Sequence, residues 1–229
     1  MSKNILITGC SSGLGLALTN FYLSKNYKVY GISRNKPNIN NKNFIFKSFD
    51  LTNISSINSS LNNFISSIKN INTVYLNAGM LGEIKECTKL SIKQMQEVYE
   101  LNVYSNKELL DILSKTNTTN IIGISSGASK NASKGWGSYS LSKAGLNMLL
   151  NLYSKELLNT KIIALAPGVI QTPMTDYIRY QIDDNIFTSA KILKTGLIQK
   201  PDDAAKRINE FIKRIDEFES GSFVDLRDI

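Results

Sequence analysis

The chain has 229 residues, 27 Lys and Arg against 19 Asp and Glu for a net charge of +8, 42% hydrophobic residues and 9% aromatics. That suffices for one α/β domain with a full core and excludes a disordered or fibrous chain. There is no histidine, which excludes Ser-His-Asp catalysis and His-ligated zinc, and Cys10 and Cys87 lack disulfide or metal-ligand spacing, so no metal is expected. In chain order, Asn4–Thr8 reads as a buried strand, and residues 14–24 as a helix opened by glycines. Lys28–Ser33 and residues 44–49 are the second and third strands. Residues 54–68 form a helix with Ile54, Ile57, Leu61, Phe64, Ile65 and Ile68 on one face. Residues 73–76 are a fourth strand, 92–113 a long helix and 121–125 a fifth strand. Residues 139–158 are helical, Lys161–Ala166 is a sixth strand, 202–218 a last helix and 222–224 a short last strand.

Such β-α alternation requires right-handed crossovers and a parallel sheet. The expected fold is α/β: a doubly wound, Rossmann-type parallel sheet of about seven strands with helices on both faces, forming one domain over residues 1–229. Residues 173–200 lack clear regularity. Loops of that length in compact domains are commonly functional, so this stretch is expected to be a substrate-binding region.

Thr8, Gly9, Cys10, Ser11, Ser12, Gly13, Leu14 and Gly15 follow the first strand and lead into a helix. Glycines there let backbone amides and a helix N-terminus approach a pyrophosphate. The spacing, Gly-x3-Gly-x-Gly, departs from the commoner Gly-x-Gly-x-x-Gly. An NAD site places an acid after the second strand to bind the ribose 2′-hydroxyl. Here that strand ends in Ser33, Arg34, Asn35 and Lys36, with no acid. A 2′-phosphate suits this end better, so NADP(H) is expected over NAD(H). Asp50, after the third strand, is placed either to accept a hydrogen bond from the adenine amino group or to cap the helix near Asn53.

Tyr139 and Lys143 are one helical turn apart and share a face. A phenol ordinarily titrates near ~10, and an adjacent ammonium favours its phenolate. In an oxidoreductase without histidine the pair is a proton donor and acceptor.

The glycine loop, Asn77-Ala78-Gly79 after the fourth strand, Ser126, the Tyr139/Lys143 pair and Pro167-Gly168 after the sixth strand occur together and in order. Over essentially its whole length the chain resembles the single-domain short-chain dehydrogenase/reductase family. The resemblance implies that Tyr139 protonates the carbonyl oxygen as hydride arrives from the nicotinamide. Lys143 would hold the nicotinamide ribose hydroxyls and lower the Tyr pKa. Ser126 rather than Ser125 would bond the substrate oxygen, because the family places its Ser thirteen positions before the Tyr. Asn102 would support a water linking Lys143 to solvent. Gly9, Ser11, Ser12, Gly13, Leu14 and Gly15 would surround the phosphates, with Ser33 and Arg34 at the 2′-phosphate. Asp50 and Leu51 would border the adenine, and Asn77, Ala78 and Gly79 the adenosine ribose. Pro167, Gly168, Val169, Ile170 and Thr172 would face the nicotinamide. Two positions depart from the family pattern. Leu76 stands where members commonly have a first Asn, and Ser12 where many NADP-preferring members carry Lys or Arg.

Trp136, Met80, Leu81, Met174, Tyr177, Ile178 and Tyr180 are candidate substrate lining, with Arg179 available for an acidic group. The implied activity is hydride transfer between NADP(H) and a small carbonyl or secondary alcohol. The alternatives are a catalytically idle dinucleotide-sensing or scaffold protein, and an epimerase or dehydratase of the extended branch. The latter's glycine spacing and extra C-terminal domain are missing here. The cations are scattered or interleaved with acids, as on Lys206, Arg207, Lys213 and Arg214, so no nucleic-acid partner is expected. No apolar stretch suits a signal peptide or membrane span, which favours a cytoplasmic protein with no membrane partner. Helices 92–113 and 139–158 are expected to pair between subunits in a homodimer or homotetramer.

Overall fold

The computed structural model describes residues 3–229; the first two residues of the expected domain lie outside the described residues. All strands join one sheet of order β3-β2-β1-β4-β5-β6-β7, in which every pairing is parallel. The strands are β1 (Asn4–Thr8), β2 (Lys28–Ser33), β3 (Phe44–Ser48), β4 (Ile71–Leu76), β5 (Thr118–Ile124), β6 (Lys161–Ala166) and β7 (Phe223–Asp225). The order reverses direction at β1 and β4. The crevice between their carboxyl ends is where open α/β sheets bind ligands.

Alternation along each strand divides the core in two. Ile5 and Ile7 of β1, with Ile163 and Leu165 of β6, face α1 (Gly13–Ser24) and α8 (Pro201–Lys213). Leu6, Ile162 and Ala164 face α2 (Ile57–Ser66), α4 (Ser105–Leu113) and α5 (Gly137–Glu156). The apolar face read from residues 54–68 is the one that packs: Ile57, Leu61 and Ile65 are fully buried. Gly123 of β5 has no side chain because Leu150 of α5 lies on it; a Cβ there would come 2.3 Å from the leucine Cδ1.

Three expectations change. The long helix at 92–113 is α3 (Ile92–Tyr99) and α4 joined by a π-helical turn over Glu100–Tyr104. The helix expected over 202–218 stops at Lys213, followed by a short 3-10 turn. Residues 173–200 are not irregular: Pro173–Gln181 is α6 and Thr188–Thr195 is α7. Their apolar spacing is short and interrupted, and it matches no sheet face. They fold because Ile178 and Ala190 bury against Leu81 and Tyr139, forming a third, smaller core above the sheet edge. The lysines of α8 pair with acids one turn away, Lys206 with Asp203 and Lys213 with Glu210. Among the described residues no helix is long and apolar enough to cross a membrane.

Candidate active site

A cleft of about 910 Å³ runs along the carboxyl edge of the sheet. At its β1 end the chain turns sharply at Gly9, whose φ is +67°. A Cβ there would lie 3.0 Å from the Ala78 Cα, so only glycine lets this loop touch the one after β4. Asn77 locks the two together, its Nδ2 donating to the carbonyls of Thr8 (3.0 Å) and Gly9 (3.3 Å). Ser12 is the N-cap of α1, but its side chain makes no cap bond, and the first turn carries no acid. The amides there are left as donors for an anion.

Of the residues expected around a dinucleotide, Gly9, Ser11, Ser12, Gly13 and Leu14 line the cleft, as do Ser33, Arg34, Asp50, Leu51, Asn77, Ala78 and Gly79. Pro167, Gly168, Val169, Ile170 and Thr172 line its other end. Gly15 does not. It is buried under the loop, where a Cβ would meet the Gly9 carbonyl oxygen at 2.1 Å, so it holds the helix against the turn. Ser33 is nearly buried, and its hydroxyl donates to the Asn35 carbonyl at 2.8 Å. Arg34 is exposed, its carbonyl fixed by the Ser48 hydroxyl at 2.8 Å. Asp50 is not a helix cap. Its Oδ1 accepts from the Thr52 amide and hydroxyl, and these bonds, with a smaller pull from Arg34, hold its pKa below the ordinary value. Thr172 caps α6, its Oγ1 accepting from the Thr175 amide at 3.3 Å.

The chemistry-bearing residues converge midway. Tyr139 and Lys143 rise from the first turns of α5 into the cleft beside Ser126, which follows β5. Lys143 is 4% exposed; its Nζ donates to the Ile124 carbonyl at 2.7 Å and lies 5.6 Å from the Tyr139 ring centroid. Burial lowers its pKa to about 8. Burial also raises the Tyr139 phenol, opposed by the Ser126 hydroxyl. Desolvation, which a sequence cannot display, sets the direction of this shift, and the expected lowering by Lys143 is not among its causes. Ser125 also lines the cleft, but its hydroxyl is committed: it donates to Asn147 Oδ1 at 2.6 Å, and Asn147 donates to Ser129.

Asn102 does not line the cleft. It is fully buried in the π-helical turn, a feature frequent at functional sites. Its Oδ1 accepts from the Met80 amide at 2.8 Å, and its Nδ2 donates to the Met80 carbonyl and to Ser142 Oγ, both at 2.9 Å. Ser142 in turn donates to the Tyr139 carbonyl at 2.8 Å. Asn106, missed in the sequence, donates to the Asn102 carbonyl at 2.9 Å. Asn102 therefore ties the loop after β4 to the helix carrying Tyr139. Asn102→Ala leaves both Met80 backbone groups without these partners. The expected loss is about 2 kcal/mol, read as a lower Tm; an unchanged Tm contradicts the assignment.

Above the site, Trp136 packs edge-on against Tyr139 (centroids 5.9 Å apart) and donates from Nε1 to Ser189 of α7 at 2.5 Å. Trp136, Met80, Met174 and Ile178 line the cleft, whereas Leu81, Tyr177, Arg179 and Tyr180 do not. Tyr180 is 67% exposed and has the Arg179 guanidinium over its ring, so this arginine is not the cleft's cation. Arg227, near the C-terminus, does line it. The only sequence signal for it was a last strand whose end falls on the same sheet edge.

A family model described as short chain dehydrogenase matches residues 3–183. The chain belongs to the short-chain dehydrogenase/reductase family. Benzil reductase ((S)-benzoin forming) of Bacillus subtilis (strain 168) is 30% identical over 239 residues, covering 97% of this chain and 98% of that protein. The enzyme of the same name from Bacillus cereus is 31% identical over 245 residues, with the same coverage. A solved short-chain dehydrogenase/reductase of Saccharomyces cerevisiae superimposes with a TM-score of 0.83 at 24% identity, covering 99% of this chain and 97% of that one. ElxO with NADP bound gives 0.80 at 21% identity, with the same coverage. At these identities the two structures establish the fold. As a short-chain dehydrogenase/reductase, the chain is an oxidoreductase of a family that uses a nicotinamide dinucleotide on small carbonyl or alcohol substrates.

Proposed function

We propose that this protein is an NADP(H)-dependent carbonyl reductase acting on vicinal diketones of the benzil class. The observation that carries the reading is the nearly buried Tyr139 phenol opening into the cleft beside Ser126, with the Lys143 ammonium beneath it. The relatives named for benzil reduction support the substrate class, and the apolar wall of Trp136, Met174, Val169 and Ala128 suits aryl groups.

The residues present fit a dinucleotide. Gly9 lets its loop close against the one after β4, uncapped amides open α1, and no acid ends β2. Ser11, Ser12 and Gly13 would hold the phosphates, Arg34 a 2′-phosphate, and Thr172 and Ile170 the carboxamide. When bound, NADPH supplies the hydride that the carbonyl carbon accepts. Ser126 donates a hydrogen bond to the carbonyl oxygen and Tyr139 gives it a proton, yielding the alcohol. The raised phenol pKa keeps Tyr139 protonated through neutral pH, as reduction requires. The Lys143 charge stabilises the phenolate left behind and its N–H groups reach the ribose hydroxyls. Residues 173–200 form the substrate-side cover as part of one domain. An exposed apolar stripe on α5 (Leu141, Met148 and Leu152), with Tyr104 exposed at the end of the π-helical turn that leads into α4, supports association of two or four copies through these helices.

The test is NADPH oxidation with benzil across pH. The Lys143 pKa is lowered to about 8, so the side chain is charged below that pH and neutral above it. kcat/KM for NADPH, which reports groups of the free enzyme, is expected to be level near neutrality and to fall above pH about 8. Binding of NADPH with no turnover of any carbonyl would instead favour an idle dinucleotide sensor.

A further inference from the structure

Arg227 stands two residues beyond the end of β7, which the parallel order places beside β6. Its guanidinium is held, not loose. Nε donates to Asp225 Oδ1 at 2.9 Å and Nη2 to Oδ2 at 2.5 Å, while its backbone amide also donates to Oδ1 at 3.0 Å. The intervening Leu226 carbonyl accepts from Arg207 of α8, which fixes the turn. The side chain crosses the two loops that flank the reacting position. A Cβ on Gly127, next to Ser126, would lie 2.7 Å from Nη2, and a Cβ on Gly168 would lie 3.5 Å from Cγ. Glycine at position 127 gives the guanidinium its room, and the Gly168 loop packs on the side-chain stem at ordinary contact distance.

Asp225 is 7% exposed, and both its oxygens are committed to Arg227. The carboxylate is therefore not offered to a ligand. The Nη1 group has no protein hydrogen-bond partner among the described residues, and the side chain is 52% exposed along the cleft. The pair carries no net charge. A carboxylate entering here would lose its hydration and gain little Coulomb attraction, because Asp225 offsets the guanidinium. A neutral oxygen gains a strong donor at small desolvation cost.

We propose that Arg227 is a specificity-determining residue that donates a hydrogen bond to a second, uncharged oxygen of the substrate, beside the carbonyl that is reduced. This rests on the carbonyl-reductase reading and narrows it: a vicinal diketone presents one oxygen to Ser126 and Tyr139 and the other to Arg227. A simple ketone leaves this donor unanswered, and a keto acid meets a neutral pair.

The test uses the full chain with NADPH and three substrates: benzil, its one-carbonyl analogue deoxybenzoin, and the keto acid phenylglyoxylate. For wild type, kcat/KM is expected in the order benzil, then deoxybenzoin, with phenylglyoxylate last. Arg227→Met is expected to lower kcat/KM for benzil about tenfold more than for deoxybenzoin, mainly through KM, with Arg227→Gln between the two. NADPH affinity and Tm, measured on each variant, separate this from loss of fold; should the Met variant not fold, the Gln variant carries the same comparison. Equal losses on the two ketones would make Arg227 a latch for the chain end and overturn the proposal, as would a wild-type preference for phenylglyoxylate. Failure of wild type to reduce any of the three while still binding NADPH would sink the reductase reading itself, a different result from an even response to the substitution.

Discussion

Tyr139→Phe is expected to lower kcat for carbonyl reduction about 1,000-fold, the middle of the range for removing a positioned proton donor, while NADPH affinity changes less than about twofold. The substitution takes away one oxygen and nothing else. The ring keeps its edge contact with Trp136 and its place in the small core with Leu81, Ile178 and Ala190. The hydroxyl is desolvated, and the Ser126 hydrogen bond only partly offsets that burial. Its loss therefore costs little folding stability, and Tm is expected to hold within a few degrees. Ser126 survives in the variant and still donates to the substrate oxygen, so substrate KM moves far less than kcat. The protonated state matters here. A phenol raised by burial is a poor base at neutral pH but a fully loaded acid, which favours reduction over oxidation under those conditions. Initial rates of NADPH oxidation with benzil, beside a fluorescence titration of NADPH, check both halves. Retention of more than a tenth of wild-type kcat would remove Tyr139 from the chemistry.

Most of the sheet was legible because buried parallel strands are short, apolar and bounded by turns. Asn4–Thr8, Lys28–Ser33 and Lys161–Ala166 agree with the structure at both ends. β4 and β5 each begin two or three residues earlier than expected, at Ile71 and Thr118. There Asn72 and the polar stretch Thr118, Thr119 and Asn120 hide the strand starts, while the register pairs Ile71 with Thr118. Residues 173–200 were opaque because α6 and α7 are short, nine and eight residues, and pack on the cleft rim rather than the sheet, although Met174, Tyr177 and Ile178 do recur at helical spacing. In the site, residues on one side of a strand end were readable from position alone. What was not readable is what each side chain is already bonded to. The expected role of Asn102 in supporting a water near Lys143 gave no hint that its side chain also holds the Met80 backbone groups and Ser142. Arg179, available in sequence for an acidic group, lies off the cleft, which presents Arg227, distant in sequence and brought in by the pairing of β7 with β6.

Arg34→Ala is expected to reduce the ratio of NADPH to NADH affinity about 30-fold, the equivalent of roughly 2 kcal/mol for a charge-assisted contact to phosphate. The physical case rests on what the end of β2 offers a 2′-substituent. Ser33 has turned its hydroxyl to the Asn35 carbonyl, so it is not a free donor there. Arg34 and Lys36 are the cations lining that part of the cleft, and Arg34 has its backbone pinned by Ser48. Asp50 lies near enough to feel Arg34, and its carboxylate lowers the net attraction for a phosphate. That makes the arginine more necessary: without it, a 2′-phosphate would face Asp50 with Lys36 as its remaining counter-charge. Because Arg34 is exposed, the contact is screened, and the ratio should narrow as salt rises. NADH, lacking the phosphate, should bind the variant about as well as wild type. Fluorescence titrations of both dinucleotides at low and physiological salt measure this directly. A ratio unmoved by the substitution would transfer the preference to Lys36 or remove it, and with it the assignment of NADP(H) to this end of the cleft.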